Sequence, residues 1–513
     1  MVQDTEKNLN VRGAPISPSH STGKEDVSIV PGARKDQAYD FLTANKVSED
    51  EVAAVDLKAL RRRIDLRIVP IMFFCYVAQF LDKVLLNYAN VMNISRDLNL
   101  KGNNFANANT FTFVALLLAE VPTGFILNKV PAGRYLGINV CLWGISTAVV
   151  ATTRNYAGLL VCRVFLGIFE AAVGPCLMII SSQWYTKHEQ PSRFGFWYTG
   201  VGVGQIIGAL TSFGFQHLTN SRIANWRIMF IVLGIATIII GAFTYLIIPD
   251  SPMKAKWMTD TEKSALLRHI SDNKTGVANT QFRLSQVWEL LRDPQMYLLF
   301  LMEVLLCINA GVGTSFSATL LRNIGYTAKQ SAILNAPAGC ITIFAVLMGS
   351  FGVRYFRQRW LFICLAAIPS ALSGALMSFV RTKAGVLAGI LLINFNVLVT
   401  PIVYSWVAAN NAGHTKRPIA MSLIAAAFNL GSVIGPQTFQ AKDAPEYLPA
   451  KITVMVTVSS GALTAVALMM YYKWENKRRD SKYGTADDRG GATDDEMWAN
   501  LTDRENKTFR YVI

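Results

Sequence analysis

The residues of this 513-residue chain with the means to do chemistry are few, and they stand where charge is expensive. Asp82, Lys83, Glu120, Arg163, Glu170 and Glu303 all fall inside long apolar runs, such as "IVPIMFFCYVAQFLDKVLLNYAN" at 68–90. A charge at the centre of a membrane helix costs about 2.5–3.5 kcal/mol on insertion scales. Each of the six therefore needs an aqueous cavity or a partner. Asp82 and Lys83 are adjacent, so on a helix they point about 100° apart and cannot simply neutralise each other. Arg163 and Glu170, in "CRVFLGIFEAAVGP", are seven residues apart. They share one helix face at about 10 Å along the axis, too far to pair directly. The expected solution is that the first and fourth helices meet around one cavity. There Asp82 and Glu170 each take a proton or a basic partner, Arg163 or Lys83. The chemistry is proton exchange and anion capture.

Blander readings stand beside this one. A permanent salt-bridge cluster clamping two helices uses the same residues, although it is costly compared with apolar packing. Glu120, just before Val121-Pro122, reads as an interhelical or gate bond. Glu303, about two turns into its helix, reads as a snorkelling side chain or a cytoplasmic gate as readily as a transport residue. Asn309, Asn335, Asn394, Asn396, Tyr404 and Asn410 lie in helices interrupted by glycine and proline. They suit a midplane ligand site, and helix–helix hydrogen bonds look the same.

The elements that must position these residues are membrane spans. The chain is 52% apolar and 16% charged, against about 25% charged in soluble proteins. Apolar runs near 68–91, 106–127, 135–153, 156–184, 194–216, 226–248, 296–320, 331–351, 360–380, 385–409, 418–439 and 452–472 predict twelve helices. An even number places both termini on one side. Lysines and arginines crowd the loops of that side, which marks it as cytoplasmic and accounts for the net charge of +15 without nucleic acid. The first 60 residues have no apolar core of the kind a signal peptide needs. The expected divisions are a tail at 1–66, a six-helix bundle at 67–249, a central loop at 250–295 with a short charged helix, a second bundle at 296–473, and a tail at 474–513. Residues 1–60 and 480–513, rich in Ser, Gly, Asp and Lys, read as disordered. The seven cysteines have no CxxC spacing and read as small core residues, with no metal site implied.

The two halves repeat. Gly124, Lys129, Arg134, Tyr135 and Leu136 match Gly349, Arg354, Arg359, Trp360 and Leu361 at an offset of 225. Lys129, Arg134, Arg354 and Arg359 are thus the expected gate residues of equivalent loops, holding the outward-facing state closed on the inside. Gly204/Gly208 answers Gly431/Gly435 at nearly the same offset, and such spacing lets helices approach closely. The expected fold class is all-α integral membrane, with twelve transmembrane helices in two pseudo-symmetric six-helix bundles, the major facilitator arrangement.

Several stretches carry a narrower resemblance: "FLDKVLLNYA" (80–89), "RVFLGIFEAAVGP" (163–175), "IPDSPMKAKWMT" (248–259), "AANNAGHTKR" (408–417), "NLGSVIGPQTFQAKDAPEY" (429–447) and the tail "ENKRRD…LTDRENKTFRY". Over roughly residues 60–513 the chain resembles the fungal anion:cation symporters of the major facilitator superfamily, in particular allantoate permease-like members. The resemblance implies that Asp82 and Glu170 are proton-coupling carboxylates. It places Lys83 where many relatives have an arginine that meets an anionic substrate, and it matches Arg163 to their fourth-helix arginine. Asn128 replaces the aspartate of the loop between the second and third helices, and Asn309 stands in a seventh helix that lacks the basic residue of some relatives.

The resulting expectation is proton-coupled uptake of a small organic anion by alternating access, with substrate contacts from Lys83, Arg163, Asn309, Asn394 and Tyr404. The proton gradient takes the place of a cofactor, and the partners are substrate, protons and lipid. A monomer at the plasma membrane is expected. Alternatives are an exporter or intracellular carrier of a carboxylated metabolite and, further off, a transporter-like nutrient sensor. An enzyme is not expected: no nucleophile–base set appears, and Gly200-x-Gly202-x-Gly204 lies within a span rather than after a strand.

Overall fold

The structure, a computed structural model, describes residues 49–127, 130–186, 189–218, 222–271, 283–412, 415–484, 502–507 and 509–513. Twelve helical segments cross the fold in chain order. The first half holds α1 (Leu57–Val91), α2 (Asn104–Leu127), α3 (Ala132–Val150), α4 (Tyr156–Ser181), α5 (Gln190–Tyr198 and Gly200–Phe215) and α6 (Asn225–Ile247). The second half holds α7 (Pro294–Asn323), α8 (Ala328–Phe356), α9 (Arg359–Phe379), α10 (Lys383–Asn410), α11 (Lys416–Gln437) and α12 (Leu448–Tyr483). Ten of them, among the described residues, are long and apolar enough to cross a membrane. The others are α3, whose first turns carry Arg134 and Asn139, and α5, which pauses at Thr199. Helices Asp260–Ser271 and Leu284–Leu291 occupy the central loop. The start of α1 and the end of α12 therefore meet one face of the bundle.

Three spans break where proline removes a backbone donor. α4 reads Tyr156–Glu170 and then Val173–Trp184, with Pro175 freeing the carbonyl of Ala171 directly after Glu170. α8 pauses before Pro337. α10 tightens to a 3₁₀ stretch over Ile393–Leu398, four residues ahead of Pro401, and this stretch carries Asn394 and Asn396. Tight turns within a span often mark functional places, and all three fall at polar residues singled out above: Glu170, Asn335, and Asn394 with Asn396.

Small residues set how closely the helices pack, and they do so twice over. A Cβ on Gly204 of α5 would lie 2.7 Å from the Val77 carbonyl oxygen of α1. A Cβ on Gly431 of α11 would lie 2.8 Å from that of Val304 on α7. The sequence repeat is thus a repeat of helix pairs, α5 on α1 and α11 on α7. Between the halves, Gly202 of α5 and Gly339 of α8 face each other. A Cβ on either would come within 2.5 Å of the other's carbonyl oxygen.

At the end remote from the termini the halves are joined by polar bonds. Asn87 bonds Ser317, Asn90 donates to Thr319 at 3.0 Å, and Arg322 donates to the Val91 carbonyl and the Asn93 side chain. Gln437 donates to Asn107 and Thr110, while Phe316 stacks on Phe439 with ring centres 4.1 Å apart. On the termini-bearing face the ion pairs Arg134–Asp250, Arg61–Glu189 and Arg193–Asp65 all close within the first half.

The C-terminal segment departs from the expectation of a disordered tail. Residues 502–507 and 509–513 dock against the second bundle, with Thr502 and Asp503 fully buried. The buried Lys416 ammonium lies 2.7 Å from Asp503, 2.8 Å from Glu289 and 2.9 Å from Asp293. Arg479 donates to the carbonyls of Asp503, Asn506 and Phe509, and Asn410 and Trp406 both donate to that of Val512. Composition hid this: a polar segment packs when a charged socket awaits it. Burial pushes the Asp503 carboxyl above its ordinary range, against the pull of Lys416. The helix of α12 likewise continues past 474 to Tyr483.

Removing one member of a buried ion cluster costs about 3–5 kcal/mol. Lys416→Met, which removes the cation shared by three carboxylates, should lower the thermal unfolding midpoint of the detergent-solubilised protein markedly. Exposed Lys477→Met should leave it within experimental error, and equal midpoints for both would show that the docked segment adds nothing to stability.

Candidate functional site

The charges of the first and fourth helices resolve into two pairs. Asp82 is buried, with its carboxylate 3.6 Å from Arg163 and accepting a hydrogen bond at 2.9 Å from Thr147 of α3. Lys83, one residue on, turns to Glu170 at 3.3 Å. The adjacent residues thus find separate partners on the same face of α4, as their 100° offset requires. Neither pair is saturated by the protein. One oxygen of Asp82, both oxygens of Glu170, and Nε and Nη2 of Arg163 have no hydrogen-bond partner meeting full geometry.

The pairs differ in what they face. A cavity of about 90 Å³ lies between the halves, and Lys83 is the only charged residue among the described residues that line it. Lys83 is 17% exposed, whereas Glu170 and Arg163 are 1% and 2% exposed. Opposite the lysine stands α7 with Asn309, a buried amide whose Nδ2 and Oδ1 both lack a protein partner. Asn394 and Asn396, on the 3₁₀ stretch of α10, complete a polar arc. Asn394 accepts from Gln205 at 2.9 Å, and Asn396 donates to the Leu306 carbonyl while its Oδ1 has no protein partner. Tyr76, Phe80, Phe113, Tyr198 and Phe428 supply the apolar wall. One cation, unpaired amide groups and aromatic surface suit a small carboxylate better than a cation or a neutral lipid.

Of the residues expected to touch substrate, Lys83, Asn309 and Asn394 line this cavity; Arg163 and Tyr404 do not. Arg163 sits behind the wall on Asp82. Tyr404 is one turn beyond the cavity-lining Thr400, toward the termini-bearing face. Asp82 and Glu170 are likewise set back, Glu170 directly behind Lys83. Glu120 accepts from Asn429 of α11 at 2.9 Å, a bond between the halves. Glu303 does not snorkel. It is wholly buried, accepting from Cys307, and Asp293 and Gln295 at the start of α7 are buried as well, with Gln295 against Asp503 of the C-terminal segment. Asn335 donates to the Ser331 carbonyl and Asn410 holds Val512, so neither reaches the cavity. Cys340 is exposed on α8 rather than in a core.

The expected gate residues remain within their own halves. Arg134 bonds Asp250 at 2.9 Å, just past the end of α6. Arg359 donates to Ser405 of α10 at 3.0 Å, Arg354 is exposed, and Lys129, with Asn128, lies outside the described residues. Sequence reasoning missed Gln205, which donates to Asn394 and accepts from Thr342, tying α5 to both α8 and α10 across the seam. An amide in the glycine run "GVGVGQIIG" was its signal. Thr147 had only the weak signal of a lone hydroxyl in α3.

If Asp82 and Arg163 are mutual counter-ions, their losses will not add. Asp82→Asn and Arg163→Gln should each lower the unfolding midpoint, while the double variant should lie above the more damaged single variant. A double variant at the sum of the two losses would show that they act apart.

The comparisons with known proteins agree with this architecture. Residues 72–436 match the model of the Major Facilitator Superfamily. A thiamine pathway transporter of Saccharomyces cerevisiae is 34% identical, covering 88% of this chain and 86% of its own. The allantoate permease of the same yeast is 30% identical, covering 92% of this chain and 89% of its own. Among solved structures, a D-xylose-proton symporter superposes with a TM-score of 0.60 at 13% identity, over 79% of this chain and 97% of that one. A bacterial homolog of the human lysosomal transporter Spinster, in an inward-facing and unoccupied conformation, gives 0.57 at 15% identity, over 82% and 96%. At such identities the likeness is one of fold. With its two six-helix halves and its relatives among transporters rather than enzymes, the chain belongs to the Major Facilitator Superfamily, beside the allantoate permease-like transporters of fungi.

Proposed function

We propose that this secondary transporter carries a small organic anion together with protons into the cell across the plasma membrane, its termini in the cytoplasm. The observation that carries the reading is the placement of Lys83, the one charged group on the cavity wall, with Glu170 behind it at 3.3 Å. An arriving carboxylate competes with Glu170 for the same ammonium. Coulomb attraction at 4 Å is worth about 4 kcal/mol at an effective dielectric near 20, so the lysine cannot leave Glu170 at no cost. A carboxylate buried without its cation is expensive, and a proton relieves it. Substrate binding thus calls for protonation of Glu170, and release of substrate returns the lysine and expels the proton. Asp82 repeats the arrangement with Arg163 one layer back, as a second proton site or a fixed brace. Asn309 and Asn394 take the remaining oxygens of the anion from the opposite half. The relatives' printed names, an allantoate permease among them, support a carboxylate of that size class as cargo.

With the termini inside, the end closed by Asn87–Ser317 and Gln437–Asn107 faces outward. Alternating access then requires breaking these bonds and closing the other end, where Arg134 and Arg359 are free to exchange partners.

Uptake of a labelled carboxylate panel that includes allantoate, in transporter-deleted cells with and without a proton gradient, tests the reading. Gradient-independent accumulation would refute proton coupling. For the best substrate, Lys83→Met should raise KM at least about tenfold, the equivalent of 1.4 kcal/mol, while Lys83→Arg should be milder because it keeps the charge. Unchanged KM in Lys83→Met would place the substrate elsewhere. Glu170→Gln should abolish gradient-driven accumulation yet retain part of substrate exchange, and full accumulation by that variant would remove Glu170 from coupling.

A further inference from the structure

A second recess, of about 370 Å³, opens on the termini-bearing face between the end of α12, the start of α7 and the docked C-terminal segment. Its place on α12 is informative. Val456, Leu463 and Met470 are exposed large apolar residues at steps of seven, a stripe turned toward lipid, and exposed Trp474 continues it one turn on. Arg478 and Lys482 follow by further steps of four, each turned about 40° from the last, which carries the surface from the lipid-facing stripe round to the recess. Along the helix the surface therefore changes from hydrocarbon to indole to two cations, each about 6 Å beyond the last. Tryptophan at that transition marks the bilayer interface, so the two cations stand at headgroup level.

The charge of the recess is unbalanced. Among the described residues, Arg478, Arg479, Lys482 and Arg504 line it against a single acid, Glu475. Two of the four are committed to structure: Arg479 holds carbonyls of the C-terminal segment, and Arg504 lies 3.2 Å from Asp293. The other two point outward. Arg478 is 58% exposed, reaching Glu475 at 3.2 Å and covering the Trp474 ring, while Lys482 rests over Tyr483. Lys473 and Lys477 are exposed on the same helix but line no part of the recess.

We propose that this recess binds the phosphate group of an anionic lipid headgroup in the leaflet that meets the termini. Arg478 and Lys482 clasp the phosphate, Arg504 supplies a third positive charge from the C-terminal segment, and Trp474 sits at the level of the lipid backbone. A lipid rather than a soluble anion is favoured because the cations follow directly on the lipid-facing stripe, and a tethered headgroup reaches them without leaving the bilayer. Basic pockets flanking membrane helices commonly take such headgroups. Because one wall is the docked segment, the lipid also bridges α12 to the end of the chain.

Binding of dioctanoyl phosphatidic acid to the purified full-length protein in neutral detergent tests this, with dioctanoyl phosphatidylcholine and inorganic phosphate as parallel arms. R478Q/K482Q should weaken phosphatidic acid binding by about tenfold or more, and K482Q alone should weaken it less. K473Q/K477Q, which removes the same charge from the same helix, should stay within about twofold of the unaltered protein, and all variants should keep its unfolding midpoint without lipid. Equal weakening by the two double variants would overturn the site in favour of diffuse surface charge. Displacement by inorganic phosphate at equal concentration would overturn the lipid assignment. Phosphatidylcholine binding as tightly as phosphatidic acid, or no binding of phosphatidic acid at all, would overturn the proposal outright.

Discussion

Everything at the centre of this protein depends on how four charges are kept out of hydrocarbon. Asp82 and Lys83 are forced apart by the geometry of one helix, and α4 answers with Arg163 and Glu170 at a spacing of seven. The pairs fix the rotation of α1 against α4 as firmly as packing does, because any other register leaves two charges without partners. Thr147 extends the constraint to α3. The outcome is asymmetric, and the asymmetry matters. The Asp82–Arg163 pair is sealed, while the Lys83–Glu170 pair presents its ammonium to the cavity. A pair with one exposed member can be opened by a ligand; a sealed pair can be opened only by moving helices.

Among the described residues, the second half supplies no cation of its own to the cavity. Its contribution is amide: Asn309, Asn394 and Asn396, placed on a continuous α7 and on the 3₁₀ stretch of α10. The division of labour follows from the energetics. Charge discriminates anions at long range, whereas amides discriminate shape at short range and cost less to bury without partners. On the proposed reading, a substrate held between the halves gains contacts from both, and closing around it is favoured only when both sets are made. The seam permits such motion. Gly202 against Gly339 lets the backbones touch, which leaves a smooth contact between the halves at that point.

Much of the fold was legible because membrane helices advertise themselves: the twelve apolar runs correspond to twelve helical segments, and the glycine repeat corresponds to paired helices in each half. The buried charges were legible for the same reason, since an Asp-Lys dipeptide inside an apolar run demands partners. What sequence did not reveal is direction. Whether Arg163 faces substrate or Asp82 depends on about 100° of helix rotation per residue, which composition leaves open. Sequence leaves Glu303 open between snorkelling, a gate and transport, because depth counted along α7 does not reveal burial by its neighbours or by the C-terminal segment docked near the helix start. That segment was itself misread, because a sequence such as "LTDRENKTFRYVI" looks disordered until its socket of Lys416, Arg479 and Asn410 is known.

That socket changes how the second half must be viewed. Lys416 begins α11, Glu289 and Asp293 precede α7, Asn410 ends α10, and Arg479 lies near the end of α12. One short segment thus fastens the termini-side ends of four helices into a unit. A half that moves as a rigid body needs such a fastening most at the end where the cavity must open and close, since helices splaying separately would dissipate the energy of substrate binding. In the first half the Arg134–Asp250 and Arg193–Asp65 pairs do the same work at the same level. Ion pairs placed within each half, rather than between them, make each half stiff on that face and leave the gap between them free to change.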